Sequence, residues 1–185
     1  SVNILTPPSI QISGDNSICP GDSTILSVTG GNTYLWNTGA TSNQITVKPV
    51  TTTTYTVTAT ASNGCTATSS IIVTLNSPPI AVISSPDSIC SGASVGLSAA
   101  GGINYLWNTG ATTSSINVTQ SLTTTYSVTV TDINGCTASS SKMVNIFSPP
   151  TAVISGDLII FVGESTTLTA TGGSSYIWST LATTN

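Results

Sequence analysis

Tyr34-Leu35-Trp36-Asn37-Thr38-Gly39-Ala40-Thr41 returns as Tyr105-Leu106-Trp107-Asn108-Thr109-Gly110-Ala111-Thr112. It returns again, degraded, as Tyr176-Ile177-Trp178-Ser179-Thr180-Leu181-Ala182-Thr183. Each copy stands 71 residues after the one before, and all three tryptophans of the chain lie in these copies. Whatever a Trp does here is done once per repeat, which points to an array and away from a single active site.

Upstream of each copy lies a Gly-Gly pair (Gly30-Gly31, Gly101-Gly102, Gly172-Gly173) that makes the reversal into the Tyr-x-Trp strand. Before it, Thr24, Leu26 and Val28 line one face of a strand, matched by Val95, Leu97, Ala99 and by Thr166, Leu168, Ala170. An earlier strand over Ile10-Gln11-Ile12 is broken at Gly14-Asp15-Asn16, and Cys19-Pro20-Gly21-Asp22 reads as a turn. Downstream, Ile45 and Val47 (Ile116 and Val118) mark a short strand ending near Pro49, which suits an edge. From Thr52 to Thr60 strict alternation puts Tyr55, Val57 and Ala59 inside and threonines outside. Asn63-Gly64 and Asn134-Gly135 then read as hairpin turns, and a last strand runs from Cys65 to Leu75.

Six or seven short strands per period and no helix specify an all-β fold of tandem β-sandwiches with a 71-residue period. The expected division is 1–5 as the last strand of a preceding repeat, 6–76 and 77–147 as repeats, and 148–185 as an incomplete repeat. The chain thus reads as a segment of an array of at least four copies, cut at both ends. Domains of about 70 residues bury only about 60% of their unfolded surface and need staples.

Cys19 and Cys65 are separated by 46 residues, as are Cys90 and Cys136. This equal spacing argues for one disulfide inside each repeat and for an oxidising, extracellular compartment. Such a bond would contribute roughly 4 kcal/mol in the chain-entropy model. Free buried thiols and a Cys65 to Cys90 bridge stay open as alternatives. The pairing also carries a tension: Cys19 precedes the first turn and Cys65 follows the last hairpin, so a seven-strand alternation puts them at opposite ends unless Cys19 lies on a separate short segment. In the third copy the first cysteine position is Phe161, an apolar replacement that suggests a buried site.

Ile18-Cys19-Pro20-Gly21, Tyr34 to Thr41, Thr52 to Thr58 and Asn63 to Ala67 together resemble the immunoglobulin-like and PKD-like repeats of large secreted surface proteins of Bacteroidota. The resemblance covers nearly the whole chain. It implies immunoglobulin-like sandwiches, export by the type IX secretion system, and a place in adhesins, including gliding-motility adhesins, or in spacers of secreted enzymes. It also implies Asp-Ser/Thr-apolar O-glycosylation sites at Ser23 and Ser88, hence a glycoprotein.

Chemistry is poorly provided for. The chain has no His, and its two basic residues, Lys48 and Lys142, stand against six acids for a net charge of -4. Nucleophilic catalysis lacks a base, so no enzyme activity, cofactor or metal is expected, and zinc finds neither CxxC nor His. Asp132-Ile133-Asn134-Gly135 lacks the later ligands of a calcium loop. Phosphate-neutralising groups are missing, which argues against nucleic acid, and no apolar run is long enough for a helical span.

Trp36, Trp107 and Trp178 are expected in the core beside the disulfide, as the buried Trp of immunoglobulin domains is. A sugar-stacking platform is the competing reading. The expected function is a non-enzymatic stalk or filament segment of a secreted cell-surface adhesin. Its partners would be neighbouring repeats, with secretion or surface-anchoring proteins and surface polysaccharide as further candidates. A carbohydrate-binding or spacer array of a hydrolase, and a self-assembling filament subunit, are the alternatives.

Overall fold

The computed structural model describes residues 5–183. The first repeat forms seven strands: β1 (Gln11–Ser13), β2 (Ser17–Ile18), β3 (Thr24–Thr29), β4 (Thr33–Trp36), β5 (Gln44–Val47), β6 (Thr53–Thr60) and β7 (Thr66–Leu75). They make two sheets, ordered β1-β3-β5 and β2-β7-β6-β4. Leu26 and Val28 from the first sheet pack with Trp36, Val57 and Val73 from the second in one hydrophobic core, so the repeat is a β-sandwich. On β6 the side-chain period of two buries Tyr55, Val57 and Ala59. The intervening threonines face outward, where Thr58 and Thr68 approach hydroxyl to hydroxyl at 3.2 Å.

The second repeat supplies β8 (Val82–Ser84), β9 (Ser88–Cys90), β10 (Ser94–Ala100), β11 (Asn104–Trp107), β12 (Ser115–Thr119), β13 (Thr124–Thr131) and β14 (Thr137–Phe147). Its sheet orders, β12-β10-β8 and β11-β13-β14-β9, repeat those of the first. From residue 148 onward the described strands are β15 (Val153–Ser155) and β16 (Thr169–Thr171), which pair antiparallel. β1, β8 and β15 begin at Gln11, Val82 and Val153, a step of 71 each time. The strand expected over 1–5 lies outside the described residues except for Leu5, which is exposed and in no strand.

The described chain packs as two compact units. One holds residues up to Ser85 with Gly96–Asn117 and Thr125–Lys142; the other holds Pro86–Val95, Val118–Thr124 and residues from Met143 on. The division runs through the second repeat, whose β10, β12, β13 and β14 give residues to both. Repeat and compact unit are different divisions of this chain.

The expected disulfides inside each repeat do not form, and the reason is strand direction. The break at Gly14 does free a short segment, β2, but it joins the edge of β7 in parallel, with Ile18 opposite Leu75. Cys19, the next residue, therefore lies just past the last residue of β7, whereas Cys65 immediately precedes its first. Ten residues of strand separate them, about 33 Å at 3.3 Å per residue. Sulfurs bond only across Cα separations under about 7 Å. In the second repeat Cys90 is opposite Phe147, the last residue of β14, and Cys136 directly precedes that strand. The bond present joins Cys19 to Cys136, with Cα atoms 5.4 Å apart and 117 residues between them in sequence. Cys65 and Cys90 are free.

Two further expectations are corrected. Trp36 and Trp107 are 1% and 2% exposed, but Trp178 is only half-buried, because the described residues around it supply two short strands and no facing sheet. Phe161 is not buried either; it is 80% exposed.

Candidate interface between successive repeats

The repeated eight-residue stretch ends β4 in a tight turn held by Trp36 and Asn37. Trp36 accepts a hydrogen bond at its carbonyl from the Gly39 amide and donates from its own amide to Ala40, each at 2.9 Å. Its indole Nε1 donates to the Ser42 carbonyl at 3.0 Å, as Trp107 does to Thr113 at 2.9 Å. The ring is thus buried with its one polar atom satisfied. Asn37 ties this turn to β6, its Nδ2 donating to the Thr54 carbonyl at 3.1 Å and its Oδ1 accepting from the Thr56 amide at 3.2 Å. Asn108 makes the same pair of bonds to Thr125 and Ser127.

Tyr34 closes the other end of β4. Its hydroxyl donates to the Gly31 carbonyl at 2.8 Å and accepts from the Gly31 amide at 3.1 Å. Gly31 has to be glycine because a Cβ there would stand 2.8 Å from that of Ala59. Gly30, at φ +98°, would put one 1.9 Å from the Ser9 carbonyl oxygen. An open recess of about 670 Å³ beside Tyr34 is lined by Gly31, Asn32, Thr33, Thr41 and Asn43. It offers a half-buried phenol edge and no exposed tryptophan face.

The surface that brings together parts distant in sequence is the one around Cys19 and Cys136, both in the first unit. On one side is the turn after β2, where the Asp22 amide donates to the Cys19 carbonyl at 3.1 Å. On the other is the hairpin between β13 and β14. There the Asp132 amide donates to the Cys136 carbonyl at 2.9 Å, and Asp132 Oδ1 accepts from the amides of Asn134 (2.9 Å) and Cys136 (2.8 Å). Asp132 is therefore a hairpin residue, its carboxylate replacing a backbone acceptor. Cys136 is 1% exposed. A polar recess of about 450 Å³ beside the bond is lined by Asp15, Ser17 and Ser23 from the first repeat and by Asn134 and Gly135 from the second.

Of the residues singled out in the sequence, Ser23 is exposed in this recess, while Ser88 is half-buried on β9, paired with Asn145. Among the described residues no group of three or more metal-ligating side chains occurs, and no helix is long and apolar enough to cross a membrane. Sequence reasoning missed the pairing of Cys19 with Cys136. The signal was present, because a separation of 117 is the spacing within a repeat extended by one repeat length, and it preserves the symmetry of the array equally well.

No family model matches the chain, and no curated protein matches it. Solved structures with some likeness include murine CEACAM1b, at 12% identity and TM-score 0.36, covering 75% of this chain and 100% of that one. A structure bearing on host cell surface retention of a 1.5-MDa bacterial ice-binding adhesin has 14% identity and TM-score 0.41, with 81% and 69% covered. The Bacteroides ovatus mixed-linkage glucan utilization locus protein SGBP-B, in complex with a mixed-linkage heptasaccharide, has 14% identity and TM-score 0.21, with 76% and 44% covered. The chain spans less than half the length of the last. Likenesses this distant bear on neither ligand nor partner.

Proposed function

We propose that the chain is a non-enzymatic structural segment of a secreted cell-surface protein, an array of immunoglobulin-like sandwiches whose task is reach and display. The observation that carries this reading is the Cys19–Cys136 bond, which ties the end of one repeat to the hairpin of the next. Tension along the chain would pass through this bond as well as through the linker around Pro78 and Pro79, so the joint cannot be drawn out. A disulfide also fits an oxidising compartment outside the cell. An adhesin stalk of the Bacteroidota type, exported by the type IX system, is the specific form the sequence resemblance favours.

The burial of Trp36 and Trp107 supports a stalk over a sugar-stacking array, since no indole face is free in the first two repeats. The test is small-angle scattering on chains with increasing repeat number. A maximum dimension that rises in proportion to copy number is expected, and one that levels off would contradict the stalk. Quenching or shifts of tryptophan fluorescence on adding polysaccharide would instead favour the glycan-binding alternative.

A further inference from the structure

We infer that Cys90 and Cys65 are the two open halves of the same staple. Cys90 bonds the Asn-Gly-Cys hairpin of another sandwich of this repeat type, and Cys65 bonds the turn cysteine of a further one. The inference rests on the array reading above and adds to it a specific covalent partner.

Both halves already have the geometry of the bonded pair. At the turn, the Ala93 amide donates to the Cys90 carbonyl at 3.1 Å, matching the 3.1 Å from Asp22 to Cys19. At the hairpin, the Ala61 amide donates to the Cys65 carbonyl at 2.9 Å, matching the 2.9 Å from Asp132 to Cys136. Strand register agrees too, because Ile89 is opposite Ile146 in parallel pairing as Ile18 is opposite Leu75. The two halves differ from the bonded pair in exposure. Cys136 is buried, whereas Cys65 is half-buried and Cys90 exposed. An exposed thiol on a preformed turn and a partly covered thiol on a preformed hairpin are the two surfaces that meet around the existing bond.

The third turn keeps the same backbone bond but not the cysteine. The Glu164 amide donates to the Phe161 carbonyl at 3.0 Å, so the turn persists, and Phe161 stands 80% exposed where the cysteine would be. It cannot carry a staple, so the joint that Phe161 heads would be held without a covalent bond.

Bond formation needs an oxidant, here a low-molecular-mass disulfide such as oxidised glutathione. One protein thiolate attacks it and releases one small thiol, leaving a mixed disulfide. The second protein thiolate attacks that protein sulfur and releases the other small thiol. Two protein thiols are oxidised and one small disulfide is reduced to two thiols.

The test uses a second copy of this chain as the partner. Cys65→Ser and Cys90→Ser chains are mixed in equal amounts with oxidised glutathione, and cross-linked peptides are identified by mass spectrometry. The Cys65–Cys90 heterodimer is expected to exceed the two homodimers together by about tenfold, since docking brings only that pair of sulfurs within bonding reach. Retention of the Cys19–Cys136 peptide shows that both variants fold. Heterodimer merely equal to the homodimers, or no cross-link at all, overturns the inference. The stalk reading would survive either result, because its own test is growth of length with copy number.

Discussion

The hairpin at Asp132 to Cys136 and the hairpin at Ala61 to Cys65 are the same turn, 71 residues apart, in two situations. The first is bonded to the turn of a preceding repeat and its cysteine is buried; the second has one thiol, Cys65, which is free and half-buried. Their hairpin backbone bonds nevertheless agree in partner, at 2.9 and 3.2 Å in the first and 2.9 and 3.0 Å in the second. Docking therefore adds a covalent bond and coverage to a turn that forms without them. Local structure is set by Asn-Gly and the flanking strands, and joining is a separate property of the cysteine.

Removing the staple separates these two properties most sharply. Cys136→Ser is expected to lower stability by about 4 to 5 kcal/mol in the chain-entropy model, given the long loop the bond closes. Cys65→Ser should change it by less than about 0.5 kcal/mol. Denaturant unfolding of both variants checks this, and equal losses would show that the two hairpins are not in different situations.

Completed and open copies of the sandwich differ next. Trp36→Ala and Trp107→Ala should each cost about 3 to 5 kcal/mol through the cavity left in a closed core. Trp178→Ala, at a half-buried site, should cost about 1 kcal/mol or less. Thermal unfolding of the three variants reads the contrast directly.

A smaller effect distinguishes the hairpins themselves. Asp132 supplies two amide acceptor bonds that Ala61 cannot, although Asn63 Oδ1 takes the Cys65 amide at 3.0 Å in its place. Asp132→Ala should cost about 1 kcal/mol and speed hydrogen exchange at Asn134 and Cys136. Smaller still, Thr58→Ala should cost about 0.2 to 1 kcal/mol by breaking one exposed cross-strand hydroxyl pair. A larger loss there would mean the outward face does more than solvate the sheet.

Much of the fold was legible because strands announce themselves by a period of two. The run from Thr53 to Thr60 and the face of Leu26 and Val28 could be assigned from alternation alone, and Gly31 and Asn63-Gly64 from turn chemistry. β2 was not legible, since two residues show no period, and its parallel pairing with β7 depends on an edge formed some 57 residues later. That one element decides which end Cys19 occupies. Equal spacing of cysteines could not substitute for it, because pairing within a repeat and pairing across one joint leave the same regularity in sequence. Trp178 was misread for a related reason: a faithful motif guarantees the turn, shown by the bond from the Leu181 amide to the Trp178 carbonyl at 2.8 Å, but burial needs a second sheet.

The most direct test is a disulfide map of the unreduced chain, digested with the free thiols blocked and read by mass spectrometry. The predicted result is Cys19 linked with Cys136, and no linked peptide joining either of them to Cys65 or Cys90. Linked peptides joining Cys19 to Cys65 and Cys90 to Cys136 would contradict the staple between repeats.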